Sequence, residues 1–165
     1  MNFSVVPIAE QHIDGFWAAL ESVARERRYL ALLEAPPPDE CRKFVAQNIR
    51  QGHPHYVALV ADQLVGWCDA LPHWPSTRAH AAVLGLGVVA AFRGRGIGTA
   101  LLRATLECAR AVGLTRIELG VRENNERVVA LYERFGFVRE GIQRNAICID
   151  GKYETLLSMA LLLER

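Results

Sequence analysis

The period of the apolar positions changes several times along the chain, and each change marks an element. Phe3 to Ile8 reads as a first strand. From Gln11, residues Ile13, Phe16, Leu20 and Val23 fall at helical spacing, which predicts a helix running toward Tyr29. Pro36, Pro37 and Pro38 stop any helix. Asp39 is then the expected N-cap of a second helix whose apolar face carries Phe44, Val45 and Ile49, closed by Gly52, His53 and Pro54. Tyr56–Val60 and Leu64–Cys68 flank Asp62 and Gln63 as a hairpin. Residues 71–80 read as irregular. Ala81 to Val89 is a mostly apolar run, the pattern of a strand buried on both faces.

A glycine-rich stretch follows, Arg93 to Gly98. It leads into a helix with Ile97, Leu101, Ala104, Cys108 and Val112 on one stripe, ending at Gly113. Arg116–Val121 is another strand. Asn124 and Asn125 cap a short helix in which Val128, Leu131 or Tyr132, and Phe135 share a face, and Gly136 closes it. Phe137–Ile149 and Lys152–Leu162 form a long hairpin around Asp150-Gly151, a strong turn signal. The order predicts an α/β fold of mixed α+β character. It is one domain over residues 1–165, with a mixed antiparallel and parallel sheet of about seven strands flanked by about four helices. The connection from 81–89 through the glycine-led helix to 116–121 is expected to be a right-handed parallel crossover.

Composition narrows the class without naming a function. Of 165 residues, 51% are hydrophobic and 22% charged, which excludes a disordered chain. A formal net charge of +1 gives no global field toward nucleic acid or an anionic membrane, so neither is expected as a partner. The interleaved Arg25-Glu26-Arg27-Arg28 reads as a solvated helix face. No apolar run approaches the roughly 18 residues of a membrane span. The first residues lack the pattern of a secretory signal, so the protein is expected to be cytoplasmic. Cys41, Cys68, Cys108 and Cys148 are widely spaced, as reduced thiols would be, and no metal site is expected. All the cations but Lys43 and Lys152 are arginines, and arginine is the better planar fork for phosphate.

That directs attention to Arg93-Gly94-Arg95-Gly96-Ile97-Gly98, between a buried strand and an amphipathic helix. Glycines there permit positive φ and close approach of a ligand. The helix N-terminus leaves N–H groups unpaired and adds its dipole, which makes an anion site suited to a pyrophosphate. The dinucleotide fingerprint G-x-G-x-x-G fails, because Thr99 takes the third glycine's place and Glu118 lies inside the next strand. The Walker pattern fails for want of Gly-Lys-Ser/Thr.

Arg93-x-x-Gly96-x-Gly98 at this junction resembles the pyrophosphate loop of the Gcn5-related N-acetyltransferase (GNAT) superfamily. Asn125 through Ala130-Leu131-Tyr132 to Phe135-Gly136-Phe137 resembles that family's second segment, at the right distance from the loop. The ending, Asp150 through Met159, is similar to bacterial members that acetylate small amines, amino acids or protein N-termini. The resemblance implies acetyl-CoA as cosubstrate and a primary amine as acceptor, joined by direct attack in a ternary complex. The alternative is a non-catalytic acyl-CoA-binding or sensing domain. The resemblance places the cofactor on Leu86, Gly87, Val88, Arg93, Gly94, Arg95, Gly96, Ile97, Gly98, Thr99 and Asn125. It makes the Val88 backbone N–H the oxyanion donor and Tyr132 the acid for the departing thiolate. Asn125 would contact the pantetheine, cap its helix, or do both. Gly85 and Gly87 suit a splay where a ligand approaches, or tight packing against a bulky neighbour. Pairing of sheet edges into a homodimer is common in the family.

Many relatives carry a glutamate on the buried strand as base, and 81–87 contains no acid. The candidates elsewhere are Glu34, Asp69 and His80, or a water chain. Trp67, Trp74, Tyr29 and Glu34 are the side chains expected to shape the acceptor site.

Overall fold

The computed structural model describes residues 1–164. Seven strands form one sheet in the order β1-β2-β3-β4-β5-β7-β6. They are β1 (Ser4–Pro7), β2 (His55–Val60), β3 (Gln63–Pro72), β4 (Ala81–Val88), β5 (Arg116–Arg122), β6 (Val138–Ile149) and β7 (Lys152–Leu162). Only the β4–β5 pair is parallel. This is the mixed sheet expected, with helices α1 (Ile13–Arg25), α2 (Pro38–Gln51), α3 (Ile97–Ala111) and α4 (Glu126–Arg134).

Strand alternation divides the core in two. Cys68, Leu84, Ile117, Leu119 and Val121 point to one face, where α3 and α4 bring Leu101, Leu102, Leu106 and Val129. Val57 and Trp67 point to the other, where α1 and α2 bring Phe16, Val23 and Val45. Alternate residues of a strand serve opposite faces, so β3 supplies both cores. Among the described residues, no helix is long and apolar enough to cross a membrane.

Several local expectations shift. Helix α1 stops at Arg25, short of Tyr29, because Arg27 turns left-handed at φ 60°. Residues 29–31 are thereby free to line the cleft described below. Asp39 is not the N-cap of α2. Pro37 holds that place and Pro38 the first helical one, where a missing N–H costs nothing. The first hairpin turns one residue early, at Ala61-Asp62, both with positive φ, and Gln63 already pairs with Val60. Strand β3 extends to Pro72, into the stretch read as irregular. The second hairpin turns at Asp150-Gly151, φ 51° and 76°, as expected. Strand β4 is not buried on both faces, since Val83 is 43% exposed.

Candidate active site

Strands β4 and β5 pair only from Ala81–Val83 against Arg116–Glu118, then part. From there β4 stays on β3 and β5 stays on β7, so a cleft opens between them. The register says which groups face it. Val89 N–H donates to the Val65 carbonyl at 2.8 Å, and hydrogen-bonded pairs alternate along an antiparallel ladder. Gly85 and Gly87 therefore turn their backbone groups to β3, while Leu84, Leu86 and Val88 turn theirs into the cleft. Of the three residues expected along a cofactor's arm, Leu86 offers a donor and an acceptor, Val88 offers its N–H while its carbonyl already accepts from Arg93, and Gly87 offers none.

The cleft is a cavity of about 610 Å³. One end is the loop after β4. Gly94 and Gly96 take φ 77° and 83°, a conformation that needs glycine, and Gly96 is the N-cap of α3. No side chain caps this helix, and its first intrahelical bond is Ala100 N–H to the Gly96 carbonyl. The N–H groups of Ile97, Gly98 and Thr99 thus lie at the cavity with no intrahelical partner. A Cβ built at Gly96 would meet nothing within 4 Å, so the space before these donors is open.

The arginines of the loop behave differently from expectation. Arg93 lines the cavity, but both of its terminal nitrogens bond Glu26, its Nε donates to the Val88 carbonyl at 2.8 Å, and its guanidinium lies 4.5 Å from the Tyr29 ring centre. Its charge is already matched by Glu26. Arg95 points out and touches Met1 Sδ at 3.3 Å. The cation facing the cavity is Arg127, whose Nη2 would lie 3.0 Å from a Cβ on Gly94, with Arg134 also on the wall. Sequence reasoning overlooked Arg127. Its signal was its place in the first turn of α4, opposite the glycine loop.

Tyr132 of α4 is 6% exposed and lines the cavity, packed on Phe137 at 5.4 Å between ring centres. Burial pushes its hydroxyl well above the ordinary 10, and nearby Cys68 adds to this, so it stays protonated. Asn125 sits at the N-cap of α4, yet its side chain makes no cap bond and borders the cavity. Its backbone carbonyl accepts from Val128 and Val129 instead. Gly87 lies under the Trp67 indole, and that close packing accounts for the glycine.

The base candidates separate by burial. Glu34 is exposed and ion-paired to Arg25 at 3.1 Å, and it is not brought to the cavity. His80 is exposed, with its carbonyl accepting from Thr115. Trp74 is 94% exposed and away from the cleft. Asp69 is 7% exposed, opposite Gly85 in the ladder, with Oδ1 3.1 Å from where a Gly85 Cβ would stand. Gly85 lines the cavity, so Asp69 lies just behind its wall. Burial pushes its carboxyl up to about 7, against a hydrogen bond from the Gly85 backbone that lowers it.

Gly120 of β5 is shared with a second cavity of about 470 Å³, bordered by Val83, Glu118, Glu140 and Ser158. Arg116 bonds both Glu118 and Glu140, and Arg78 and His73 also bond Glu118. Burial tends to raise Glu118, but these hydrogen bonds outweigh it, and the Arg116 bond lowers Glu140. Both acids are held ionised. Among the described residues no cluster of side chains could hold a metal ion.

The chain is 28% identical over 138 residues to the L-amino acid N-acetyltransferase AaaT of Escherichia coli, covering 83% of this chain and 85% of that protein. It is 34% identical over 152 residues to YdgE of Bacillus subtilis, named an N-acetyltransferase, covering 89% of each. Its fold matches yncA of Salmonella typhimurium, solved with its cofactor acetyl-CoA, with a TM-score of 0.93 at 16% identity, over 100% of this chain and 96% of that one. The model of the acetyltransferase (GNAT) family matches residues 17–137, and the chain belongs to that family.

Proposed function

We propose that the protein moves the acetyl group of acetyl-CoA to a primary amine, on a small molecule or a peptide N-terminus, by direct attack in a ternary complex. The observation that carries this reading is the unpaired edge of β4. Leu86 and Val88 present backbone groups to a cleft with an uncapped helix N-terminus at one end and the Tyr132 hydroxyl, kept protonated, in its wall. The residues fit coenzyme A. A pantetheine arm can pair with an open strand edge, and a diphosphate can take the N–H groups of Ile97, Gly98 and Thr99 beside Arg127. When bound, acetyl-CoA supplies a thioester, an acyl carbon already activated for attack.

The chain's own groups then have separate tasks. The Val88 N–H donates to the carbonyl oxygen as it gains charge. Asp69, just behind the Gly85 wall and poised near neutrality, takes by way of a water the proton that the amine must lose. Tyr132 gives its proton to the departing sulfur as the carbon–sulfur bond breaks. By its name the Escherichia coli relative acts on L-amino acids, which supports amino acids as the first acceptors to try.

The test is release of free thiol from acetyl-CoA with a panel of amino acids, polyamines, aminoglycosides and peptides. Turnover on one class is expected. Tight binding of acetyl-CoA with no thiol released on any amine would leave an acyl-CoA-binding domain instead.

A further inference from the structure

The face covered by α1 and α2 holds a buried polar group with no task in the reaction so far. His55 of β2 is 2% exposed. Its Nδ1 accepts from Asn48 Nδ2 at 3.2 Å, and Asn48 is turned that way because its Oδ1 takes the His53 Nδ1–H at 3.4 Å. The neutral ring therefore carries its proton on Nε2. That Nε2–H is buried and has no partner among the described residues. An unpaired buried donor is costly, so its position calls for a reason.

Asp69 stands directly across the β2–β3 ladder from His55. Directly opposed residues share a sheet face, with Cβ atoms about 4.5–5.5 Å apart. A carboxylate can accept about four hydrogen bonds, and the Gly85 backbone is the one donor acting on this one. A donor without an acceptor thus shares a sheet face with an acceptor short of donors, both buried beside the wall of the cleft and farther apart than one hydrogen bond. We propose that His55 is a positioning residue of the reaction, its Nε2–H donating across one buried water to the Asp69 carboxylate and favouring its ionised form behind Gly85. This rests on the reading of Asp69 as the base.

The surroundings leave His55 as the group able to do this. On the same face β4 presents Gly85, α1 presents Phe16, and α2 presents Phe44 and Asn48. His53 is held off by Asn48, and Cys68 points to the opposite core. No charged side chain acts on Asp69.

Two measurements test the pair. In the intact protein, nitrogen NMR of His55 reads its tautomer, and carbon NMR of the Asp69 carboxyl reads its titration. The Nε2–H form is expected. In His55→Phe the Asp69 midpoint is expected to rise by about one pH unit, with partial return in His55→Gln, whose amide is a donor. An Nδ1–H ring, or superimposable Asp69 titrations in parent and His55→Phe, would overturn the proposal. If His55→Phe does not fold, Asn48→Ala frees the ring to change tautomer, and an unmoved Asp69 midpoint there counts against the proposal equally.

The second measurement is kcat/KM for the acceptor against pH. Its acidic limb should move up by the same unit in His55→Phe, with the KM for acetyl-CoA unchanged. If Asp69→Asn keeps the limb, the base reading falls, while the carboxyl titration still decides the pair. If Asp69→Asn abolishes the limb and His55→Phe leaves it in place, the role of His55 falls and Asp69 stands.

Discussion

Glu26 holds the Arg93 guanidinium by both terminal nitrogens, joining the end of α1 to the loop before α3 across 67 residues of sequence. Both side chains are about a quarter exposed, so solvent screens the pair only in part. Glu26→Gln should weaken this strut by about 1–2 kcal/mol, the range of a partly screened charged hydrogen bond. The urea midpoint should fall while the KM for acetyl-CoA changes little. A large rise in KM with unchanged stability would return Arg93 to the role of phosphate ligand.

Arg127 is the converse case. It makes no ion pair among the described residues, and its guanidinium reaches the glycine loop. Arg127→Ala should raise the KM for acetyl-CoA several-fold, leave kcat near the parent's, and flatten the dependence of KM on salt. An unchanged KM would mean that the backbone N–H groups at the start of α3 suffice for the diphosphate.

Tyr132 tests the chemistry itself. Removing only the hydroxyl, as Tyr132→Phe does, keeps the ring against Phe137. Loss of a general acid costs about 10²–10⁴ in rate. We expect kcat to fall by that order while the affinity for acetyl-CoA holds. Parent-like turnover would assign the leaving-group proton to another donor.

These residues differ in how far the linear chain announces them. The glycines at 94 and 96 are legible because their positive φ demands glycine, whatever surrounds the loop. The Asp150-Gly151 turn is legible for the same reason. The engagement of Arg93 was not legible, because its partner lies on another element and only the packing of α1 against the sheet brings the two together. Glu34 and Asp69 look alike as acids in the sequence. Burial separates them: one sits in solvent with Arg25, the other is sealed over Gly85. Gly87 left two readings open, and Trp67, twenty positions earlier, decides between them.

That contact is itself testable. A Cβ at Gly87 would fall inside the Trp67 ring, and the ring is 3% exposed with Phe16 at 5.7 Å between ring centres, so it has little room to move. Gly87→Ala should cost about 1–3 kcal/mol, as overpacking does. It should also disturb the cleft edge at Leu86 and Val88, lowering kcat/KM. Adding Trp67→Leu to Gly87→Ala should recover part of the stability. A stable, fully active Gly87→Ala would show that the strand can shift away from the indole.

The buried pair should also leave a signature in stability against pH. The Asp69 carboxyl titrates at about 7 in the fold, above its ordinary 3.8, because burial disfavours the charge. The stability it contributes is complete below about 3.8 and is lost as pH rises to about 7. His55 is shifted the other way, from 6.5 down to about 4, again by burial. Its contribution is complete above 6.5 and is lost as pH falls through about 4. Between these values the two slopes oppose, each near 1.4 kcal/mol per pH unit, and largely cancel. Relative to the parent curve, Asp69→Asn should therefore gain stability with rising pH from about 4 to 6.5, since His55 acts alone. His55→Gln should lose stability over the same interval, since Asp69 acts alone. Urea midpoints at half-unit steps of pH would read both difference curves. Two curves running parallel to the parent would mean that neither group changes its proton on unfolding, and the buried carboxyl could then not serve as a base tuned by its surroundings.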